Sequence, residues 1–157
     1  MKDSDYAHLY NSNLDALIEK IIFVYEKFFD EEINEDFKDL FLSLSHFCDP
    51  ELYVQFVSRH LSFKKSNSLL QIILITMKNS ILKIEAERLL LLLPTFVDYL
   101  FEFLAHHTSD VRKLAVFCIV EIYFILGNDF EAYLNHLNQS QRNLINIFYK
   151  KKLQDKI

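Results

Sequence analysis

Residues Ser109 to Lys152 read SDVRKLAVFCIVEIYFILGNDFEAYLNHLNQSQRNLINIFYKKK, and this stretch decides the fold. Thr108 or Ser109 can cap a helix by accepting from a first-turn amide, and Asp110 sets a negative charge at the positive end of the helix dipole. Gly127 stops the run that begins there, which predicts a helix over Asp110 to Leu126. Asp129 to Leu137 predicts a short helix and Ser140 to about Leu153 a last one, with Leu144, Ile145, Ile147 and Phe148 facing inward. Lys150, Lys151 and Lys152 fall near its C-terminus, where cations meet the negative end of the dipole.

The same alternation of capped helices and short polar links continues upstream. From Asn13 to Phe29, apolar residues at Leu14, Leu17, Ile21, Val24 and Phe28 predict a first helix with those side chains buried. After the polar run Asp30 to Asp36, with Asn34 as a cap, a second stripe comprises Phe37, Leu40, Phe41, Leu44 and Phe47. Asp49 and Pro50 make a strong helix start, because the carboxylate accepts from first-turn amides and proline at the first position gives up no needed donor. Tyr53, Phe56, Val57, His60 and Leu61 form that helix's inner face. Ser66 or Ser68 caps a segment in which Leu69, Leu70, Ile72, Ile73, Leu74, Ile75 and Met77 leave almost no polar face, so it must be covered on several sides. Ile81 to Leu93 predicts a further helix with Lys83, Glu85, Glu87 and Arg88 outward. It ends at Pro94, which disfavours helical geometry in the residue before it. Phe96, Val97, Leu100, Phe101 and Leu104 carry the next.

Composition agrees. The chain has 157 residues, 51% of them hydrophobic, enough for one core. One Gly and two Pro are too few for the turns and crossover loops of sandwiches, barrels or doubly wound folds. Fifteen Phe and eight Tyr with no Trp supply bulky packing between helices. The fold class expected is all-α, with about eight helices forming either a compact bundle or stacked antiparallel pairs of a solenoid, two arrangements that the pattern alone barely separates. We assign residues 1–12 to an N-terminal tail, 13–153 to a single helical-repeat domain and 154–157 to a C-terminal tail.

Cys48 and Cys118 have no paired spacing, so neither a disulfide framework nor a zinc module is signalled and a reducing compartment is expected. The uncharged run Ser66 to Met77 falls short of the roughly 20 apolar residues of a membrane span. The start Met-Lys-Asp-Ser-Asp lacks the basic and apolar regions of a signal peptide, and a soluble intracellular chain is expected. Residues 1 to 40 hold four Lys against eleven Asp or Glu, a balance of −7, whereas residues 138 to 157 hold five Lys or Arg against Asp155, a balance of +4. Helices stacked in chain order would carry those charges at opposite ends, as solvated faces.

Pro94 through Leu104, the link His106-His107-Thr108-Ser109, and then Asp110-Val111-Arg112-Lys113-Leu114-Ala115 resemble a HEAT repeat, whose first helix carries an early Pro and whose second opens Asp-Val-Arg with an Ala soon after. Val111-Arg112-Lys113, Ala115 to Val120, Ile125 to Asp129, Leu134 to Leu137 and Asn143 to Lys151 follow in an order that closely resembles the extreme C-terminal domain of the CLASP family of microtubule-associated proteins. Leu91-Leu92-Leu93-Pro94 fits as well. The resemblance covers about residues 89 to 152, while the N-terminal half matches only as helices. It implies a HEAT-type α-solenoid excised from a longer protein that reaches microtubules through other domains. It also implies a docking role, in which this domain recruits the protein to kinetochores, the spindle or plus ends by binding a kinetochore coiled-coil protein or a CLIP-type plus-end protein. The location implied is cytoplasm or nucleus, on the cytoskeleton. The abundance of Phe, Ile, Asn and Lys suits an AT-rich genome such as a yeast's. TOG domains of the same family grip tubulin with an edge aromatic, often Trp, and basic loops. Here Trp is absent and the His106 to Ser109 link is not basic, so direct tubulin binding is disfavoured.

Chemistry finds little footing. Pro94, Asp110 and Arg112 read as residues that stack and cap repeats, not as a catalytic pair. His46 with Cys48, and His106 with His107, are neighbours without further ligands at tetrahedral-site spacing, so no metal site is expected. His60 and His136 read as packed or exposed singles. One glycine at a helix end supplies neither a phosphate loop nor a nucleophile elbow. The carboxylates between Asp30 and Asp39 read as a solvated face, and Lys150 to Lys152 is too small a cluster for nucleic acid. We therefore expect a binding module without enzyme activity, cofactor, nucleic acid or membrane. The candidate contact surface is Lys113, Glu121, Phe124, Phe148, Tyr149 and Lys151, where aromatic and basic residues mix, although Phe124 and Phe148 suit the core equally. Pairing of two copies through the Phe-rich N-terminal helices is the alternative.

Overall fold

The computed structural model describes the backbone of residues 3–28 and 34–155, and the side chains of 13–28 and 34–155. The carboxylates of Asp30, Glu31 and Glu32, and the last two residues of the C-terminal tail, lie outside the described residues. The elements are α1 (Asp3–Phe28), α2 (Glu35–Phe47), α3 (Pro50–Ser58), α4 (Asn67–Ile81), α5 (Ala86–Leu92), a 3-10 turn (Leu93–Thr95), α6 (Val97–Phe103), α7 (Ser109–Leu126), a 3-10 turn (Gly127–Phe130), α8 (Glu131–Leu134) and α9 (Gln139–Gln154). No strand occurs among the described residues. The fold is an all-α, HEAT-like solenoid.

Local chemistry sets most boundaries. The Asn34 side chain accepts from Phe37 N–H at 3.1 Å, Asp49 from Leu52 N–H at 3.0 Å and Ser66 from Leu69 N–H at 3.3 Å. Pro50 occupies the first turn of α3. Each such cap satisfies an amide that the helix itself leaves without a partner. Asn138 and Gln141 form a reciprocal capping box at the start of α9. Gly127 ends α7 with φ 54° and ψ −127°, a region open to glycine and hostile to a Cβ. Pro94 sits in the 3-10 turn that separates α5 from α6, so the outer helix of this repeat is broken in two.

Two rows of helices face each other. In one, α2 packs on α4, α4 on α7 and α7 on α9; in the other, α1 packs on α3 and α3 on α5. The rows join where α3 meets α4 and α6 meets α7. The central member, α4, buries Leu69, Leu70, Ile72, Ile73, Leu74, Met77 and Ile81, as its missing polar face requires. Full burial of each such side chain contributes about 1.5–3 kcal/mol relative to exposure. A polar group within that core is satisfied: the buried Tyr53 hydroxyl donates to Thr76 Oγ1 at 2.7 Å, and Thr76 Oγ1 donates to the Ile72 carbonyl at 2.9 Å. Burial pushes the Tyr53 phenol well above its ordinary value.

Three sequence expectations are corrected. Helix α1 begins at Asp3, upstream of Asn13, and its buried stripe is Leu14, Ile18, Ile22 and Tyr25, whereas Leu17, Val24 and Phe28 are exposed. Apolar residues surround most of α1, so periodicity admits two stripes about one residue apart, and packing on α3 selects one. In α2, Phe41 and Leu44 are buried while Leu40 and Phe47 point outward. The helix expected over Ile81 to Leu93 is divided: α4 runs on to Ile81, residues 82–85 turn, and α5 starts at Ala86. No Gly or Pro marks that turn. It closes through i to i+3 bonds from Lys83 N–H to the Ser80 carbonyl and from Ile84 N–H to the Ile81 carbonyl, with Ile84 buried as its anchor.

Candidate functional site

Helix α9 lies along α7, and their contact gathers the residues singled out in the sequence. Ile145 is fully buried and fixes α9 to the core. Around it, Phe148 meets Phe117 edge-on at 5.9 Å and Tyr149 stacks on Tyr123 at 4.1 Å. Lys152 Nζ pairs with Glu121 Oε1 at 2.8 Å and also lies 5.2 Å from the Phe124 ring centroid. Lys113 reaches over the Phe117 ring at 5.8 Å. Phe124, Phe148 and Tyr149 are half-buried because they pack one helix on the other, while Lys113 and Lys151 are exposed. The six candidates therefore share the α7–α9 seam, with aromatic groups building it and cations at its edge.

Beside this seam, α4, α7 and α9 enclose an open groove of about 420 Å³. Its floor is Phe117, Val120 and Phe148. Lys78 of α4 and Lys151 and Lys152 of α9 stand around it, with Asp155 at the C-terminal end of α9. Glu121 gives one oxygen to Lys152, while its other oxygen, Oε2, is buried without a hydrogen-bond partner among the described residues. A buried carboxylate oxygen is costly unless a donor meets it. The sequence reading missed Lys78, Phe117, Val120, Lys152 and Asp155 as groove residues. Lys78 had a signal, since it is the first charge after the apolar run of α4, but its approach to α9 is a long-range event that no local pattern encodes.

The remaining candidates fall elsewhere. Arg112 donates through Nη1 to the His106 carbonyl at 2.6 Å and the His107 carbonyl at 3.0 Å, so it ties the α6–α7 link to its own helix. Asp110 is exposed in the first turn of α7, with no side-chain hydrogen bond among the described residues. His106 is buried, accepting at Nδ1 from Thr108 N–H at 3.1 Å, between the Phe63 and Phe103 rings. Its Nε2 is buried without a partner among the described residues. Burial first, and then the neighbouring His107, depress its pKa. His107 is exposed with its ring 4.2 Å from that of His106, so the two lie in the link and not on a helix. Cys118 is buried in α7, where its thiol donates to the Leu74 carbonyl at 3.4 Å and burial pushes its pKa up to about 12. Such a thiol is a packing group. Among the described residues no three His, Cys, Asp or Glu side chains are grouped to hold a metal ion, and no helix is long and apolar enough to cross a membrane.

Comparison with known proteins places this architecture. No protein-family model matches the chain. It is 39% identical over 66 residues to a CLIP-associated protein of Arabidopsis thaliana, which is 42% of this chain and 5% of that protein. It is 35% identical over 69 residues to CLIP-associating protein 1-A of Xenopus laevis, 44% of this chain and 5% of the relative. Against the CLIP-associating protein of Drosophila melanogaster the identity is 42% over 60 residues, 35% of this chain and 4% of the relative. The matched length is thus a small fraction of each relative. Plant, frog and fly proteins agree, and with the HEAT-like solenoid they lead to one conclusion: part of this chain is similar to the CLASP family of microtubule-associated proteins.

Proposed function

We propose that this chain is a docking module of a CLASP-like microtubule regulator. It accepts a peptide or helix of a kinetochore coiled-coil protein or a CLIP-type plus-end protein, and so brings the regulator to kinetochores, the spindle or plus ends. The observation that carries this reading is the open groove between α4, α7 and α9, with an apolar floor and a charged rim beside the seam holding Lys113, Glu121, Phe124, Phe148, Tyr149 and Lys151. Grooves between packed helices accept amphipathic or extended segments by burying a few apolar anchors. Binding, not reaction, is the role, and microtubules are reached through other domains. The relatives are named for association with CLIP, which supports a partner of that kind.

The immobilised chain is incubated with mitotic extract and, separately, with purified tubulin. Recovery of a plus-end or kinetochore protein, reduced by Lys151→Glu, is the expected result. Recovery of tubulin alone would overturn the reading in favour of a TOG-like role. A second reading, pairing of two copies, draws on the exposure of Phe23 and Phe28 on α1 and Phe47 on α2. Light scattering decides it, because a monomer at high concentration eliminates it.

A further inference from the structure

The groove's charges specify its occupant. Of the three lysines around it, Lys152 is neutralised within the protein by Glu121. Lys78 and Lys151 form no ion pair among the described residues, and they flank the apolar floor of Phe117, Val120 and Phe148. The last helix also carries Arg142 and Lys150 as further cations. One anion, Asp155, opposes them at the groove's end. An apolar side chain can fill the floor, and only a ligand with carboxylates complements Lys78 and Lys151.

We propose that the α4–α7–α9 groove binds a short acidic peptide segment of a partner protein. An aromatic or aliphatic anchor rests on the floor formed by Phe117, Val120 and Phe148, while Asp or Glu side chains meet Lys78 and Lys151. This inference rests on the docking reading and narrows it to one class of partner segment. Rim charges govern capture and salt dependence, while the buried anchor governs residence.

The test pans a phage-displayed library of random short peptides on the purified full chain, followed by fluorescence anisotropy of the selected peptides. Selected sequences carry Asp or Glu around one aromatic or aliphatic residue. Lys78→Glu combined with Lys151→Glu weakens them by about a hundredfold, roughly tenfold per charge, and the difference shrinks as salt screens the rim. Asp155→Asn tightens them, an effect that a purely structural role for the helix end does not produce. Lys20→Glu on exposed α1 leaves them unchanged. Selection of neutral or basic peptides that Phe148→Ala abolishes overturns the acidic specificity and leaves the docking reading standing. Failure to select any peptide that the groove variants weaken overturns both. Concentration-dependent dimers broken by Lys151→Glu, with no peptide bound, assign the groove to a second copy and also overturn the proposal.

Discussion

Truncation of Ile145 tests how the terminal repeat is attached. Ile145 is the one side chain of α9 that is fully withdrawn from solvent, and the rest of the helix is half-buried or exposed. Ile145→Ala removes its burial and leaves a cavity, a loss of about 2–5 kcal/mol for a core isoleucine. The other attachments are weaker. The Tyr123–Tyr149 stack adds about 0.5–1.5 kcal/mol beyond its burial. The Glu121–Lys152 pair, with side-chain exposures of 12% and 26%, adds a part-screened contribution. The substitution therefore removes much of the energy that docks α9. In a solenoid each repeat contacts only its neighbours, so the loss falls locally. Hydrogen exchange followed by mass spectrometry reads it. At a loss of about 3 kcal/mol, amides of residues 143–153 exchange roughly 150-fold faster, whereas those of α4 change far less. An equal acceleration in α4 and α9 would show that the chain unfolds as one cooperative unit and refute the local attachment. No acceleration in α9 would show that the aromatic seam, not Ile145, holds it.

Arg112→Ala is expected to destabilise the chain by about 1–3 kcal/mol in urea titration, because two carbonyls of the α6–α7 link lose a charged donor; both bonds come from one nitrogen, so Arg112→Lys restores part of the loss, and no restoration would contradict the donor role. His106 has a folded pKa below its ordinary value of 6.5, so the unfolded chain takes up its proton first as pH falls. Stability is complete above about 6.5 and declines as pH drops below it through the lowered folded value; His106→Gln flattens that part of the pH profile, and an unchanged slope would shift the cause to His60, which is also depressed by burial. Gly127→Ala meets no atom within 4 Å, so its cost is the backbone conformation alone, about 1–3 kcal/mol by thermal unfolding. Cys118 resists alkylation in the native chain, and its labelling rate tracks unfolding.

The sequence alone determined what depends on neighbours along the chain. Asn34, Asp49 with Pro50, Ser66 and Gly127 marked helix ends because capping is a contact between residues a few positions apart. The nearly continuous apolar run of α4 announced a helix covered on several sides, and the order of residues from Pro94 to Lys151 announced the family resemblance. Tertiary structure decided what depends on distant parts of the chain. Helix α1 holds apolar residues at Leu14, Leu17, Ile18, Ile21, Ile22, Val24 and Tyr25, and only its seat on α3 buries Ile18 and Tyr25 while leaving Leu17 and Val24 in solvent. The turn at residues 82–85 carries no breaker, so it became visible only with Ile84 in the core. His106 to Ser109 reads as a polar link, yet His106 folds inward because Arg112 satisfies its carbonyl and two phenylalanines flank the imidazole. The groove shows the same division. Glu121, Phe148 and Lys151 were legible as part of an aromatic and basic mixture, but Phe117, Val120, Lys152 and Asp155 were not singled out and Lys78 joins them from far away in sequence. Burial and charge complementarity are properties of surfaces that meet in space, and local periodicity holds no record of that meeting.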